Sequence, residues 1–233
     1  MFGAPIDAAA EAARDAAFPG GWFAVAFSGE LGPLGVAPRR AFGRDLVLWR
    51  TADGAAHAAN AECPHFGVHM GRGGTVKDDG LTCPIHGLRF DRAGRCLPAH
   101  PGKPAPELTI RTYPTHEAGG VILAWRDVEQ RAPADAGPGM HVPGWSVRES
   151  RRWTLEGDLR RTVSRAAWLE HEAGGQVRLF ATPVELETTR ILALIGAEAD
   201  RAIARLEASL GRPDAPPEPQ KKAQPGWATV RAD

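Results

Sequence analysis

Two short loops constrain this 233-residue chain more than anything else in it. Cys63-Pro64-His65 and Cys83-Pro84-Ile85-His86 each set one thiol and one imidazole a few bonds apart. Two thiolates and two imidazoles suit a two-iron, two-sulfide cluster in which sulfur holds one iron and nitrogen the other. Neutral imidazoles leave such a cluster less negative than four thiolates would, and its reduction potential rises accordingly. Pro64 and Pro84 stiffen the loops. Gly67 and Gly87 are expected to let the backbone pass close to the sulfurs and to donate N–H groups.

Other uses of the four residues fit less well. Zinc modules repeat C-x2-4-C or H-x3-5-H pairs, and neither loop has that form. A Cys63–Cys83 disulfide is disfavoured by a count of three cysteines in a chain without a secretory signal. That leaves a one-electron redox centre as the first inference.

Charge and hydropathy narrow the setting. Lys plus Arg and Asp plus Glu stand at 28 each, so no overall field points to nucleic acid or an anionic membrane. No apolar run has the length of a membrane span. Met1–Ala17 is Ala-rich and carries Asp7, Glu11, Arg14 and Asp15, unlike a signal peptide. Arg39-Arg40 is internal and is no twin-arginine leader. A soluble, cytoplasmic protein is the expectation.

Residues 4–17 favour a short helix, stopped at Pro19-Gly20-Gly21. Residues 18–127 then read as a small all-β domain. Its short apolar runs, such as Trp22–Phe27, Leu46–Trp49 and Val121–Trp125, alternate with turn signals at Asp53-Gly54, Asp79-Gly80 and Ala93-Gly94. Both Cys/His loops lie between its strands. Residues 128–144, with Pro133, Pro138 and Pro143, read as a linker. In 145–211, strand-like runs at Trp145–Trp153, Asp158–Trp168, Gln176–Ala181 and Glu185–Ile195 precede a helix. Ala199, Ile203, Leu206 and Leu210 recur on it at helical spacing, and Gly211 and Pro213 close it. Residues 212–233 read as a flexible tail.

At this point the chain resembles a known family. Phe18-Pro-Gly-Gly-Trp22, Cys63-Pro-His65-Phe-Gly, Cys83-Pro-Ile-His86-Gly-Leu-Arg-Phe-Asp91, Gly94-Arg-Cys96-Leu-Pro98 and Gly120–Trp125 are similar to the N-terminal half of Rieske-type non-haem iron (aromatic-ring-hydroxylating) oxygenase α-subunits. The resemblance spans roughly residues 18–127. It implies a mainly β fold, a Rieske [2Fe–2S] β-sandwich with Cys63, His65, Cys83 and His86 as cluster ligands. A weaker likeness at Leu179–Pro183 through Thr189-Arg190 implies a strand pair from a shortened, helix-grip-like α+β catalytic segment with a C-terminal helix. High-potential Rieske proteins carry a disulfide-forming cysteine in each loop, where Val68 and Ile85 stand here. They also carry Ser and Tyr where Leu88 and Phe90 stand. Fewer hydrogen bonds to the reduced cluster imply a low potential.

The family's oxygen-activating iron is held by a His-x4-His pair and a later carboxylate. No such pair occurs here. After residue 127 only His141 and His171 remain, thirty residues apart. A dispersed triad of these with Asp158, Glu170 or Glu172 is disfavoured by the geometry a metal site must keep, so a mononuclear iron is not expected. The leading expectation is a protein that moves single electrons, taking them from a ferredoxin or flavin reductase and passing them to an iron on another subunit. An oxygenase with an atypical iron site, acting on an unknown organic substrate, stays open. So does a structural or regulatory subunit. The family's trimers suggest a homo- or hetero-oligomer. Arg148, Arg151, Arg152, Arg160, Arg161 and Arg165 could dock an acidic donor or simply line exposed strand faces. His69 reads as a surface group or a neighbour of the ligands, Cys96 as a small packed residue, and His57, His100 and His116 as ordinary strand or loop residues.

Overall fold

The computed structural model describes residues 12–13, 15–99, 102, 104–137, 147–156, 177–186, 188–196 and 200–215. The first domain runs through ten strands: β1 (Gly21–Phe27), β2 (Val36–Ala41), β3 (Arg44–Arg50), β4 (Ala56–Asn60), β5 (Thr75–Lys77), β6 (Gly80–Thr82), β7 (Arg89–Phe90), β8 (Thr112–Tyr113), β9 (Thr115–Ala118) and β10 (Val121–Arg126). They form three antiparallel sheets in the orders β1-β10-β9, β2-β3-β4-β8 and β5-β6-β7. Three further strands, β11 (Val147–Glu156), β12 (Val177–Glu185) and β13 (Thr188–Gly196), pair in the order β11-β13-β12, and helix α1 (Asp200–Leu210) follows. The chain is thus mainly β with a helical end.

Alternation along single strands explains how these sheets stack. β3 is apolar without interruption from Leu46 to Trp49, the pattern of a strand covered on both faces. Leu46 and Leu48 enter one core with Phe23, Val25, Ala37 and Tyr113, while Val47 and Trp49 enter another with Cys63 and Cys83. β10 repeats the device. Ile122 and Ala124 face the sandwich core, whereas Val121 and Leu123 meet Leu192 and Leu194 of β13. On the far side of β13, Ile191, Ala193 and Ile195 pack with Trp153 against Ala202, Leu206 and Leu210 of α1. From helix to Cys/His loops the protein is therefore a stack of sheets, with β3, β10 and β13 each buried on both faces. Each fully buried Leu or Ile stabilises it by about 1.5–3 kcal/mol.

Polar contacts reinforce the seam between the two segments. The main-chain N–H groups of Phe42 and Gly43 donate to Pro183 and Val184, at 2.9 and 2.8 Å, and the Thr182 hydroxyl donates to Ala24 O at 2.8 Å. The described part of the expected linker lies along an aromatic face. Trp22 Nε1 donates to Asp135 and Trp125 Nε1 to Arg131 O, while Trp22 stacks on Trp125 and His116. Ahead of β1, Ala12, Ala13, Asp15 and Ala16 are helical.

Several local expectations shift by a residue or more. The β5–β6 register pairs Lys77 with Gly80, so the turn is Asp78-Asp79, at φ 48° and 59°, rather than Asp79-Gly80. Positive φ at both central residues matches the strand twist, and short polar aspartates tolerate it. Gly94 is where expected for a stronger reason: at φ +80°, a Cβ there would lie 2.1 Å from Ile110 O. The strand expected at 158–168 and the tail beyond 215 lie outside the described residues. Helix α1 starts at Asp200, whose carboxylate suits a helix N-terminus, and Gly211, at φ +82°, ends it. No helix among the described residues is long and apolar enough to cross a membrane.

Candidate metal centre

The two Cys/His loops occupy equivalent turns. One follows β4, and the other joins β6 to β7. In the first, Cys63 N–H donates to Val68 O at 2.8 Å and Gly67 N–H returns to Cys63 O at 2.8 Å. In the second, Cys83 N–H donates to Leu88 O at 2.8 Å and Gly87 N–H to Cys83 O at 3.1 Å. Main-chain bonds alone thus close both turns. Gly67 and Gly87 sit at φ +68° and +67°, which favours glycine. Their N–H groups close the turns on the cysteine carbonyls. The amides of His65 and Phe66 favour the Cys63 thiolate, against the larger effect of burial.

The structure brings all four candidate ligands together and separates them by kind. Cys63 and Cys83 are buried among Trp49, Met70, Leu81 and Phe90, near enough for their thiols to hydrogen-bond. Burial is the main reason the Cys63 thiol is pushed up to about 11, so iron would have to displace its proton to bind there. Nearer the surface, the rings of His65 and His86 meet edge to face with centroids 4.9 Å apart. His86 is exposed and His65 half-buried.

This arrangement fits a two-iron cluster. Nδ1 of His65 is buried and has no hydrogen-bond partner among the described residues, whereas buried imidazole nitrogens ordinarily find one. A metal ion would complete it. Among the described residues no three His, Cys, Asp or Glu side chains gather round a single point. The four candidate ligands stand as a thiol pair and an imidazole pair, the division that a Rieske centre needs and a tetrahedral zinc site does not.

Some features of the centre have no signal in residue spacing. Phe66 lies 4.1 Å from the His65 ring and 5.4 Å from that of His86, centroid to centroid, and is still 52% exposed. Ile85, 60% exposed, adds a second apolar group to this rim. Trp49, on β3, reaches the cysteine core because its strand buries both faces.

The remaining candidates scatter. His69 turns its Nδ1 onto the N–H of Gly71, 3.1 Å away, within its own loop. His57 stacks on Trp49 and lies 3.2 Å from the Thr51 hydroxyl, with its pKa held below the usual value mainly by burial. Cys96 is buried in the same core as the ligand cysteines. All three cysteines are free. Arg152 points inward onto Glu30 and Arg151 pairs with Glu207, so Arg152 is neither a docking charge nor an exposed strand residue. His100, His141, Asp158, Arg160, Arg161, Arg165, Glu170, His171 and Glu172 lie outside the described residues, as does the side chain of Arg148.

Comparison with known proteins agrees with this geometry. Residues 21–114 match the Rieske [2Fe-2S] domain. Cholesterol 7-desaturase nvd of Bombyx mori is 40% identical over 117 residues, covering 50% of this chain and 26% of the relative. The oxygenase component of chloroacetanilide N-alkylformylase from Rhizorhabdus wittichii is 34% identical over 105 residues, covering 45% of this chain and 30% of the relative. The chain thus spans under a third of the length of these curated relatives. Apo dicamba monooxygenase superposes with a TM-score of 0.62 at 17% identity, over 82% of both chains. That likeness is one of fold alone, and its extent takes in more than the first domain. Residues 21–114 are therefore a Rieske [2Fe–2S] domain, with the [2Fe–2S] cluster this implies, in a chain whose relatives are Rieske non-haem iron oxygenases.

Proposed function

We propose that this protein is a one-electron carrier that passes electrons from a ferredoxin or flavin reductase to an iron held by another subunit or protein. Bound at Cys63, His65, Cys83 and His86, the cluster supplies a one-electron couple. The observation that carries the reading is the polarity of the site: thiols inward, the imidazole edge of His86 outward, and Phe66 and Ile85 exposed beside it. An apolar rim round a polar edge suits contact with a protein surface, because interface cores are enriched in aromatic residues and poor in charge. Free cysteines throughout go with a reducing, cytoplasmic setting. Assembly into an oligomer, a trimer by family resemblance, belongs to the same proposal.

An oxygenase with its own iron is the second reading, favoured by the fold likeness to dicamba monooxygenase over 82% of both chains. Iron and acid-labile sulfide analysis of the purified protein separates the two. Iron and sulfide in equal amounts, as one [2Fe–2S] cluster per chain requires, support the carrier. A further iron per chain, retained after a mild chelator wash, replaces it with the oxygenase.

The potential is a second expected outcome. Phe90 is fully buried and Leu88 partly so beside the Cys83 loop, and neither carries a hydroxyl to stabilise a reduced, more negative cluster. The midpoint is expected in the lower part of the roughly −150 to +300 mV Rieske range. A redox titration giving a midpoint well above zero refutes this.

A further inference from the structure

Where the Rieske domain meets the second sheet, three guanidinium groups crowd one carboxylate. Arg39 of β2 donates to one oxygen of Glu30 at 2.8 Å, and Arg152 of β11 donates to the other. Both Glu30 oxygens are thereby engaged. Arg190 of β13 approaches the same cluster, and its recorded hydrogen bond goes to a main-chain carbonyl, Arg40 O at 3.1 Å. Burial first, and then the like charges of Arg152 and Arg39, push the Arg190 pKa down to about 10. Among the described residues, the acidic groups acting on Arg190 are Asp214 and Glu30. Asp214 is itself held by the main-chain N–H of Thr154 at 3.2 Å and its hydroxyl at 2.7 Å.

The decisive detail is the set of unused donors. The Nε–H groups of Arg39, Arg152 and Arg190 are all buried and lack hydrogen-bond partners among the described residues. The Arg39 side chain is only 10% exposed and that of Arg152 16%. Buried donors in folded proteins nearly always find acceptors, and a bound ion is one of the accepted resolutions. Water could meet the donors but would leave the excess positive charge in a poorly hydrated place. Guanidinium forks match the oxygens of carboxylates and phosphates, two donors to two acceptors.

We propose that Arg39, Arg152 and Arg190 form a binding site for a small oxyanion that presents a phosphate or carboxylate group. The ligand bridges the Rieske domain, through Arg39, to the second sheet, through Arg152 and Arg190. Its occupancy strengthens the seam between them. This site is separate from the cluster, and its test does not depend on where the electrons go.

The full, cluster-loaded chain is titrated with inorganic phosphate and, in a parallel arm, with succinate. Chloride holds the ionic strength constant. Equilibrium dialysis is expected to show saturable binding of one anion per chain. Thermal unfolding shifts upward with it: at free ligand about a hundred times Kd, the unfolded-to-folded ratio falls about a hundredfold. The stronger of the two arms identifies the anion class. Arg190→Gln is expected to abolish saturable binding. Arg152→Lys keeps the charge but lacks the fork, and it is expected to fold and bind more weakly. Absence of saturable binding of either anion overturns the proposal. So does binding that is equal in the wild type and in Arg152→Lys, whether or not Arg190→Gln folds.

Discussion

Cys83→Ser is expected to yield a folded chain with at least about tenfold less iron, since even outer partners of a metal site cost 10–100-fold when changed. On the proposed ligand set the Cys83 thiolate holds iron, and a hydroxyl at the same place neither ionises near neutral pH nor suits a soft iron–sulfur centre. The fold survives because its neighbourhood does not rest on the sulfur. Cys83 N–H to Leu88 O and Gly87 N–H to Cys83 O are main-chain bonds that serine keeps. The visible absorbance and the electron paramagnetic resonance signal of the reduced cluster disappear with the iron, while circular dichroism stays that of a β protein. Wild-type iron content in Cys83→Ser would remove Cys83 from the ligand set.

A second large effect is expected far from the cluster. Asp15→Asn should destabilise the protein by about 3–5 kcal/mol, the cost of breaking a buried ion pair by removing one partner. Asp15 is the carboxylate for three guanidinium groups: Arg44 at 2.8 Å, Arg111, and Arg126 at 3.6 Å. Their side chains are 6%, 11% and 1% exposed, so water cannot take over its part. Arg126 also donates to the carbonyls of Phe18 and Pro19, at 2.6 and 2.9 Å, which ties the chain entering β1 to the strand leaving the domain. By contrast, Arg131 paired with Asp127 is 66% exposed, and such surface pairs contribute about 0–1 kcal/mol. Denaturant unfolding distinguishes the cases. A loss below about 1 kcal/mol for Asp15→Asn would place this network with the surface pairs.

Which parts of the protein could be read in advance depends on how local their causes are. The ligand loops, the strands flanking them, helix α1 and the β12–β13 pair follow from residue types spaced a few positions apart. The Asp79-Gly80 turn was off by one because register, set by the whole strand pair, put Gly80 on β6. The Gly67 and Gly87 amides close their turns on the cysteine carbonyls, a role that residue spacing alone did not assign. Phe66 follows His65 directly, but its place over both imidazoles depends on how two loops eighteen residues apart converge.

A thiol pair and an imidazole pair in a small β domain were legible in the chain, because ligand chemistry and turn chemistry act within a few residues. Long-range packing is what buries both faces of β3 and β10, turns Arg152 onto Glu30 across 122 positions, and gathers arginines as far away as Arg126 round Asp15. Alternation shows that a strand has two faces. What covers each face, and which distant charge meets which, is decided only when the sheets stack.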